Sequence, residues 1–202
     1  MNTEILSSPN YWDKKYSNNN TGWDMKSSNP VFVDLLKENK YIKPSKLLVT
    51  GSGKGYDAVA AAKENYDVTA VDFSKKANEL AGKLAGENSV KINFITEDIF
   101  ELTKNYKNYF DAVYEYVTYC AIDPKRREEY AEVMSEVIKP GGKLIALLFP
   151  VDGRSGGPPF NIDILEFYNF FSKYFIMEFS TFKINSIKPR KGKEVLQVYR
   201  KK

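Results

Sequence analysis

The chain of 202 residues contains no histidine, a single cysteine and two tryptophans. Without imidazole, histidine-dependent triads, histidine metal sites and histidine acid–base chemistry are excluded, and no metal site is expected. The lone Cys120 excludes an intramolecular disulfide and fits a reducing compartment. No apolar run reaches transmembrane length, and the opening MNTEILSSPNYWDKKY lacks the basic-then-apolar order of a signal peptide, so a soluble, cytoplasmic protein is expected. Internal repeats and low-complexity segments are missing, and the polar stretch SNNNTG, Ser17 to Gly22, reads as a loop.

Charge is also modest, at +4 with a pI near 8.9. Much of the excess lies close to the C-terminus, in Lys188, Arg190, Lys191, Lys193, Arg200, Lys201 and Lys202. No aromatic residues interleave that cluster as they do in a nucleic-acid surface, so it reads as a solvated strand pair with a basic tail. With 43% hydrophobic residues the chain can bury a sizeable core, and its length suits one α/β unit.

The most informative segment present is LLVTGSGKGYD, Leu47 to Asp57. Leu47, Leu48 and Val49 form the short apolar run of a strand buried on both faces. Gly51, Gly53 and Gly55 then let a ligand press against bare backbone, ahead of a helix from Tyr56 through DAVAAAKE. The third glycine arrives one residue early for the dinucleotide pattern G-x-G-x-x-G, which tilts the reading from NAD towards S-adenosylmethionine. Lys54 does not make the loop a P-loop, because G-x-x-x-x-G-K-[ST] is absent. A second β-rich run, Asp67 to Ser74, carries Asp72, placed to accept from both ribose hydroxyls; Ser74 caps the following helix KKANELAGKLAG. A third strand, KINFIT, ends at Glu97 and Asp98. Asp98 serves either as a helix cap or as acceptor for an adenine amino group, with Ile99 over the ring.

Further along, Phe110 to Tyr116 reads as a fourth strand. DPKRREEYAEVMSEVI reads as a helix with Asp123 at its N-cap and Pro124 at its first position. Gly142 to Phe149 is a fifth strand, and a helix follows near Ile162 to Tyr174. FIMEFSTFKI and EVLQVYRK, joined by SIKPRKG, should pair antiparallel. The expectation is an α/β, Rossmann-like, doubly wound seven-stranded sheet with helices on both faces and a C-terminal antiparallel hairpin. Residues 1–202 form one domain in this reading, with an N-terminal lid and helix over 1–45 and the catalytic sheet over 46–202.

Beyond that plan, YWDKKY with TGWD, LLVTGSGKGYD, YEYVTYCAIDP, KPGGKLIALLFP, and GGPPF with the later PRKGKE resemble the thiopurine S-methyltransferase family. Within its class I S-adenosylmethionine-dependent methyltransferases, the likeness is to the halide, thiocyanate and thiol methyltransferase branch. The resemblance implies that Trp12 and Trp23 cover the cofactor, Gly51 meets its amino-acid end, Asp72 its ribose, and Asp98 with Ile99 its adenine, with Gly53 and Phe73 also among the cofactor-binding residues. It implies that Tyr116 faces the transferred methyl. An indole or phenol face attracts a sulfonium cation, which gives these aromatic assignments a physical basis.

Tyr116, Glu115 or Tyr119 would remove or hold the proton of a thiol acceptor, without a choice among them. Trp23, Tyr119, Phe160 and Arg190 are the acceptor-binding candidates; Phe160 belongs either to a rim over the acceptor or to a rigid crossover. Cys120 reads as packing rather than as a nucleophile. The family pattern is not followed throughout: Tyr16 stands where relatives commonly carry a second tryptophan, so no cofactor contact is assigned to it. Thr50 and Ser52 replace a common proline and cysteine, Glu115 replaces a more usual aspartate, and Tyr116 replaces the mammalian thiopurine enzymes' arginine. That last change argues against a carboxylated thiopurine. The function implied is methyl transfer from S-adenosylmethionine, leaving S-adenosylhomocysteine, to a small soft nucleophile on a monomer or weak dimer, with no nucleic-acid or membrane partner. The alternatives are a metalloid oxyanion or other small acceptor, or a non-catalytic cofactor-binding regulatory module.

Overall fold

The computed structural model describes residues 3–202. The chain runs α1 (Pro9–Ser17), α2 (Pro30–Glu38), β1 (Lys46–Val49), α3 (Tyr56–Lys63), β2 (Asp67–Asp72), α4 (Lys75–Glu87), β3 (Asn93–Thr96), α5 (Thr103–Tyr106) and β4 (Phe110–Tyr116). It continues through α6 (Arg127–Val137), β5 (Ile138–Leu148), α7 (Ile164–Phe171), β6 (Phe175–Thr181) and β7 (Val195–Lys201). Seven strands form one sheet in the order β3-β2-β1-β4-β5-β7-β6. The first five are parallel; β7 pairs antiparallel with both β5 and β6. This is the expected doubly wound sheet with its C-terminal hairpin.

Strand alternation explains why both faces are covered. Leu48, Val113, Leu144 and Ala146 point to the face where α6 and α7 pack Tyr130, Met134, Phe167 and Phe171. Leu47, Val49, Tyr114, Ile145 and Leu147 point to the other, against Phe32 and Leu36 of α2 and Ala58 and Ala61 of α3. Phe32 stacks on Tyr114 with centroids 3.6 Å apart. The fifth strand begins earlier than Gly142, at Ile138, because its register jumps across KPGG: Phe110 faces Ile138, and Ala112 then faces Lys143. Pro140 has no N–H for the ladder and Gly141 turns at a φ of +78°, so the segment bulges without ending the strand. The DPKRREEY helix opens as a 3-10 turn, Pro124–Arg126, with Asp123 Oδ1 accepting from Lys125 N.

The N-terminal segment is fastened to the sheet's upper edge. Asp13 on α1 accepts from the Ser74 hydroxyl at 2.5 Å and from Lys76 N at 3.0 Å, so it adds a second cap to α4. Ser74 itself accepts from Ala77 N, as expected of that N-cap. Among the described residues no helix is long and apolar enough to cross a membrane.

Candidate active site

The strand order reverses between β1 and β4, and the ligand crevice of an open α/β sheet lies at such a point, beyond the carboxyl ends of the strands. A cavity of about 550 Å³ opens there. Each strand end contributes to its wall: Gly51 after β1, Asp72 and Phe73 after β2, Glu97, Asp98 and Ile99 after β3, Val117, Thr118 and Cys120 after β4, and Phe149 after β5. Trp12, Tyr16 and Trp23 close it from the N-terminal segment. A smaller adjoining cavity shares Gly51, Tyr16, Trp23, Val117 and Arg190 and adds Gly53, Asp57 and Tyr116.

The glycine loop is built for close approach. Gly51 has φ +48°, and a Cβ there would overlap the Thr118 hydroxyl. Gly53 N donates to Asp72 Oδ2 at 2.8 Å, and Ser74 N donates to Oδ1 at 2.8 Å. Burial is the largest influence on Asp72 and lifts its pKa to about 6 against those hydrogen bonds. Lys54 forms a 2.7 Å ion pair with Asp24 just after Trp23, so this loop cation fastens the N-terminal segment. The Ser52 and Thr118 hydroxyls are buried without a partner among the described residues, which leaves two polar groups beside the loop for a ligand.

Above the loop, Trp23 makes edge contacts with Trp12 at 5.7 Å and with Tyr16 at 5.8 Å between centroids. Tyr16 therefore belongs to the same aromatic wall as the two tryptophans, which the missing second tryptophan had concealed. Asp98 Oδ1 accepts from Phe100 N at 3.1 Å, so it does cap the 3-10 turn that follows, and its other oxygen lies 3.8 Å from Arg126. Asp98 and Ile99 nonetheless line the cavity, so the cap and the site coincide.

Three candidates are not brought to the cavity wall. Glu115 is 1% exposed and its carboxylate is fully engaged: Oε1 accepts from Thr118 N and Tyr119 N, and Oε2 from Thr50 Oγ1 at 3.0 Å and Tyr130 Oη at 2.5 Å. It anchors the turn after β4, where the β-branched Val117 is held at φ +62°, a conformation that such residues rarely adopt. Tyr119 is wholly buried against Phe167, Tyr130 and the Arg127 guanidinium. Phe160 donates its N–H to Cys120 O while Pro158 and Pro159 of the same GGPPF segment line the cavity, because the turn carries the phenyl ring back against Gly157. Cys120 borders the cavity but is buried, and burial pushes its thiol up to about 12, so it is no nucleophile at neutral pH.

Arg190 occupies the junction of the two cavities. It is 3% exposed, its Nη2 donates to Trp23 O at 2.6 Å, and its guanidinium lies 4.8 Å from the Tyr116 ring and 4.5 Å from the Phe149 ring. Nη1 is buried with no partner, and no carboxylate pairs with Arg190 among the described residues. Sequence reading did not identify Glu194, whose carboxylate accepts from the Tyr116 hydroxyl at 2.8 Å. Its signal was a lone acid inside PRKGKE, at the threshold of a buried strand.

These elements define a sheet whose reversal point holds a glycine cradle, an acid after the second strand and an aromatic cover, the layout of a class I methyltransferase. A family model described as Thiopurine S-methyltransferase (TPMT) matches residues 7–202. The chain is 35% identical over 197 residues to probable thiol methyltransferase 2 of Arabidopsis thaliana, covering 94% of this chain and 84% of that protein. It is 33% identical to thiocyanate methyltransferase 1 of the same plant, again covering 94% and 84%. Among solved structures, Burkholderia thailandensis 1,6-didemethyltoxoflavin-N1-methyltransferase, with bound 1,6-didemethyltoxoflavin and S-adenosylhomocysteine, superposes with a TM-score of 0.78. That likeness, at 17% identity over 98% of this chain and 88% of the other, is one of fold. The chain belongs to the thiopurine S-methyltransferase family, and it is an S-adenosylmethionine-dependent methyltransferase. The residues present fit that cofactor, since Gly51 presents backbone to the cavity and the Ser52 and Thr118 hydroxyls beside it have no partner among the described residues.

Proposed function

We propose that the enzyme methylates a small soft nucleophile, namely a thiol, hydrosulfide, thiocyanate or halide. The observation that carries this reading is Arg190: a buried guanidinium whose Nη1 has no hydrogen-bond partner and which makes no direct ion pair among the described residues, flanked by two aromatic rings at the cavity junction. A buried N–H of a guanidinium left without an acceptor is costly, and an anion at Nη1 offsets that cost. The names of the plant relatives, thiol and thiocyanate methyltransferases, support the same class.

When bound, S-adenosylmethionine supplies an electrophilic methyl group on a sulfonium. In this reading Trp12, Tyr16 and Trp23 form a lid that excludes water, Gly51 and Gly53 receive the amino-acid end, Asp72 accepts from ribose hydroxyls with Phe73 beside it, and Asp98 and Ile99 meet the adenine. Tyr116 faces the transferred methyl, and Arg190 holds the acceptor. Soft anions are already nucleophilic, so the residues need only align and desolvate them, which suits a chain without histidine. Glu115 and Tyr119 act as packing and positioning groups beneath this surface.

The test is turnover of S-adenosylmethionine with iodide, thiocyanate, hydrosulfide, 2-mercaptoethanol and a metalloid oxyanion, each separately, reading methylated product and S-adenosylhomocysteine together. Product from the soft nucleophiles is expected. Product from the oxyanion alone would move the acceptor class, and cofactor binding without any product would favour a regulatory module.

A further inference from the structure

One buried acid behind the cavity wall is tied to a residue on that wall. Glu194, at the entrance to β7, is 1% exposed. The Tyr116 hydroxyl donates to its Oε1 at 2.8 Å, and the Ser186 hydroxyl donates to its Oε2. Two donated hydrogen bonds and the nearby Arg190 charge are the surroundings of an ionised carboxylate. Burial outweighs them and raises the Glu194 pKa, making it a stronger base than an exposed glutamate. Tyr116 lines the smaller cavity, and burial pushes its own pKa up, so the phenol keeps its proton at neutral pH. It can release that proton to Glu194 only while receiving another. The charged and titratable groups around the pair are Arg190 from the C-terminal loop, Tyr114 from β4 and, in the same smaller cavity, Asp57 from α3.

We propose that Tyr116 and Glu194 form a proton path for acceptors that arrive as neutral thiols, with Glu194 as the final base. This rests on the soft-nucleophile reading above. The acceptor's S–H proton passes to the Tyr116 oxygen as the phenolic proton passes to Glu194 Oε1. The S–H bonding pair stays on sulfur and forms its new bond to the methyl carbon, while the pair of the broken C–S bond leaves with the donor sulfur. Glu194 ends neutral and Tyr116 ends as it began. Thiocyanate and halides bring no proton and do not use the path, so one site serves both kinds of acceptor.

The test compares 2-mercaptoethanol, protonated at neutral pH, with thiocyanate in the wild type, Glu194→Gln and Tyr116→Phe. For 2-mercaptoethanol, kcat should fall about 10²–10⁴-fold in both variants. Thiocyanate turnover should fall far less in Glu194→Gln; in Tyr116→Phe, which also alters the surface facing the methyl, the ratio of thiol to thiocyanate turnover should fall, and the thiol rate of both variants should recover towards the wild type as rising pH ionises the thiol itself. Infrared titration of the protein alone, as wild type minus Glu194→Gln, should show this carboxyl ionised at the assay pH. Equal losses for both acceptors, no recovery at high pH, or a carboxyl already protonated at the assay pH would overturn the proposal. If Glu194→Gln does not fold, Tyr116→Phe decides by the same acceptor contrast. Wild-type protein that methylates neither acceptor would instead overturn the underlying functional reading.

Discussion

The Gly53 amide donates to Asp72 Oδ2 across 2.8 Å, joining the glycine loop to the end of the second strand. One carboxylate thus shapes the loop and presents its remaining acceptor capacity to the cavity.

Burial lifts the Asp72 pKa to about 6, so below that pH the carboxyl is neutral and, if it accepts from the ribose hydroxyls as proposed, loses acceptor capacity for them. Cofactor affinity should hold above pH 6 and fall as pH drops, approaching tenfold per unit for one linked proton. Calorimetric titration of S-adenosylhomocysteine across pH checks this. Asp72→Asn should bind weakly and lose that pH dependence. A slope that persists in the variant would assign it to another group, such as Asp57, which burial lifts to about 7 in the adjoining cavity.

Gly51→Ala should harm both folding and binding. The left-handed backbone at φ +48° alone costs about 1–2 kcal/mol for an L side chain. The new Cβ would also overlap the Thr118 hydroxyl. Adding Thr118→Ala should recover part of the thermal stability and leave the backbone strain in place. Melting curves of the single and double variants read the two contributions apart.

Glu115→Gln tests whether that acid is structural. Four donors converge on its carboxylate, and an amide would turn an N–H group towards some of them. Stability should drop by about 1–3 kcal/mol. Any loss of turnover should follow the lost folded fraction and be alike for thiol and anion acceptors. An intact melting temperature with a selective loss of thiol methylation would return Glu115 to the catalytic group.

The sheet was legible because each strand alternates between two apolar faces, as Leu47 and Leu48 do, and its boundaries carry glycine, proline or a capping residue. The start of the fifth strand was misplaced at Gly142 because the proline and two glycines of KPGG carry turn chemistry, while in the fold they bulge a continuing strand. Strand-end residues such as Asp72 and Asp98 were visible through their position alone. The proton partner was not. Glu115 lies next to Tyr116 in the chain, yet strand alternation sends their side chains to opposite faces. Glu194 reaches Tyr116 because β7 inserts beside β5, a contact set by topology over 78 residues of separation. The choice for Phe160 between rim and crossover stayed open for a similar reason, since nothing local in GGPPF distinguishes the prolines that face the cavity from the ring that turns away.

The proposed hold of Arg190 on a soft anion beside the transferred methyl is tested most directly by the thiocyanate KM of Arg190→Met, measured beside the dissociation constant for S-adenosylhomocysteine. Loss of a charge-assisted hydrogen bond of about 1.5–3 kcal/mol should raise KM by roughly tenfold or more, with a much smaller change in cofactor affinity. Unchanged thiocyanate kinetics, or equal weakening of both constants, would contradict it.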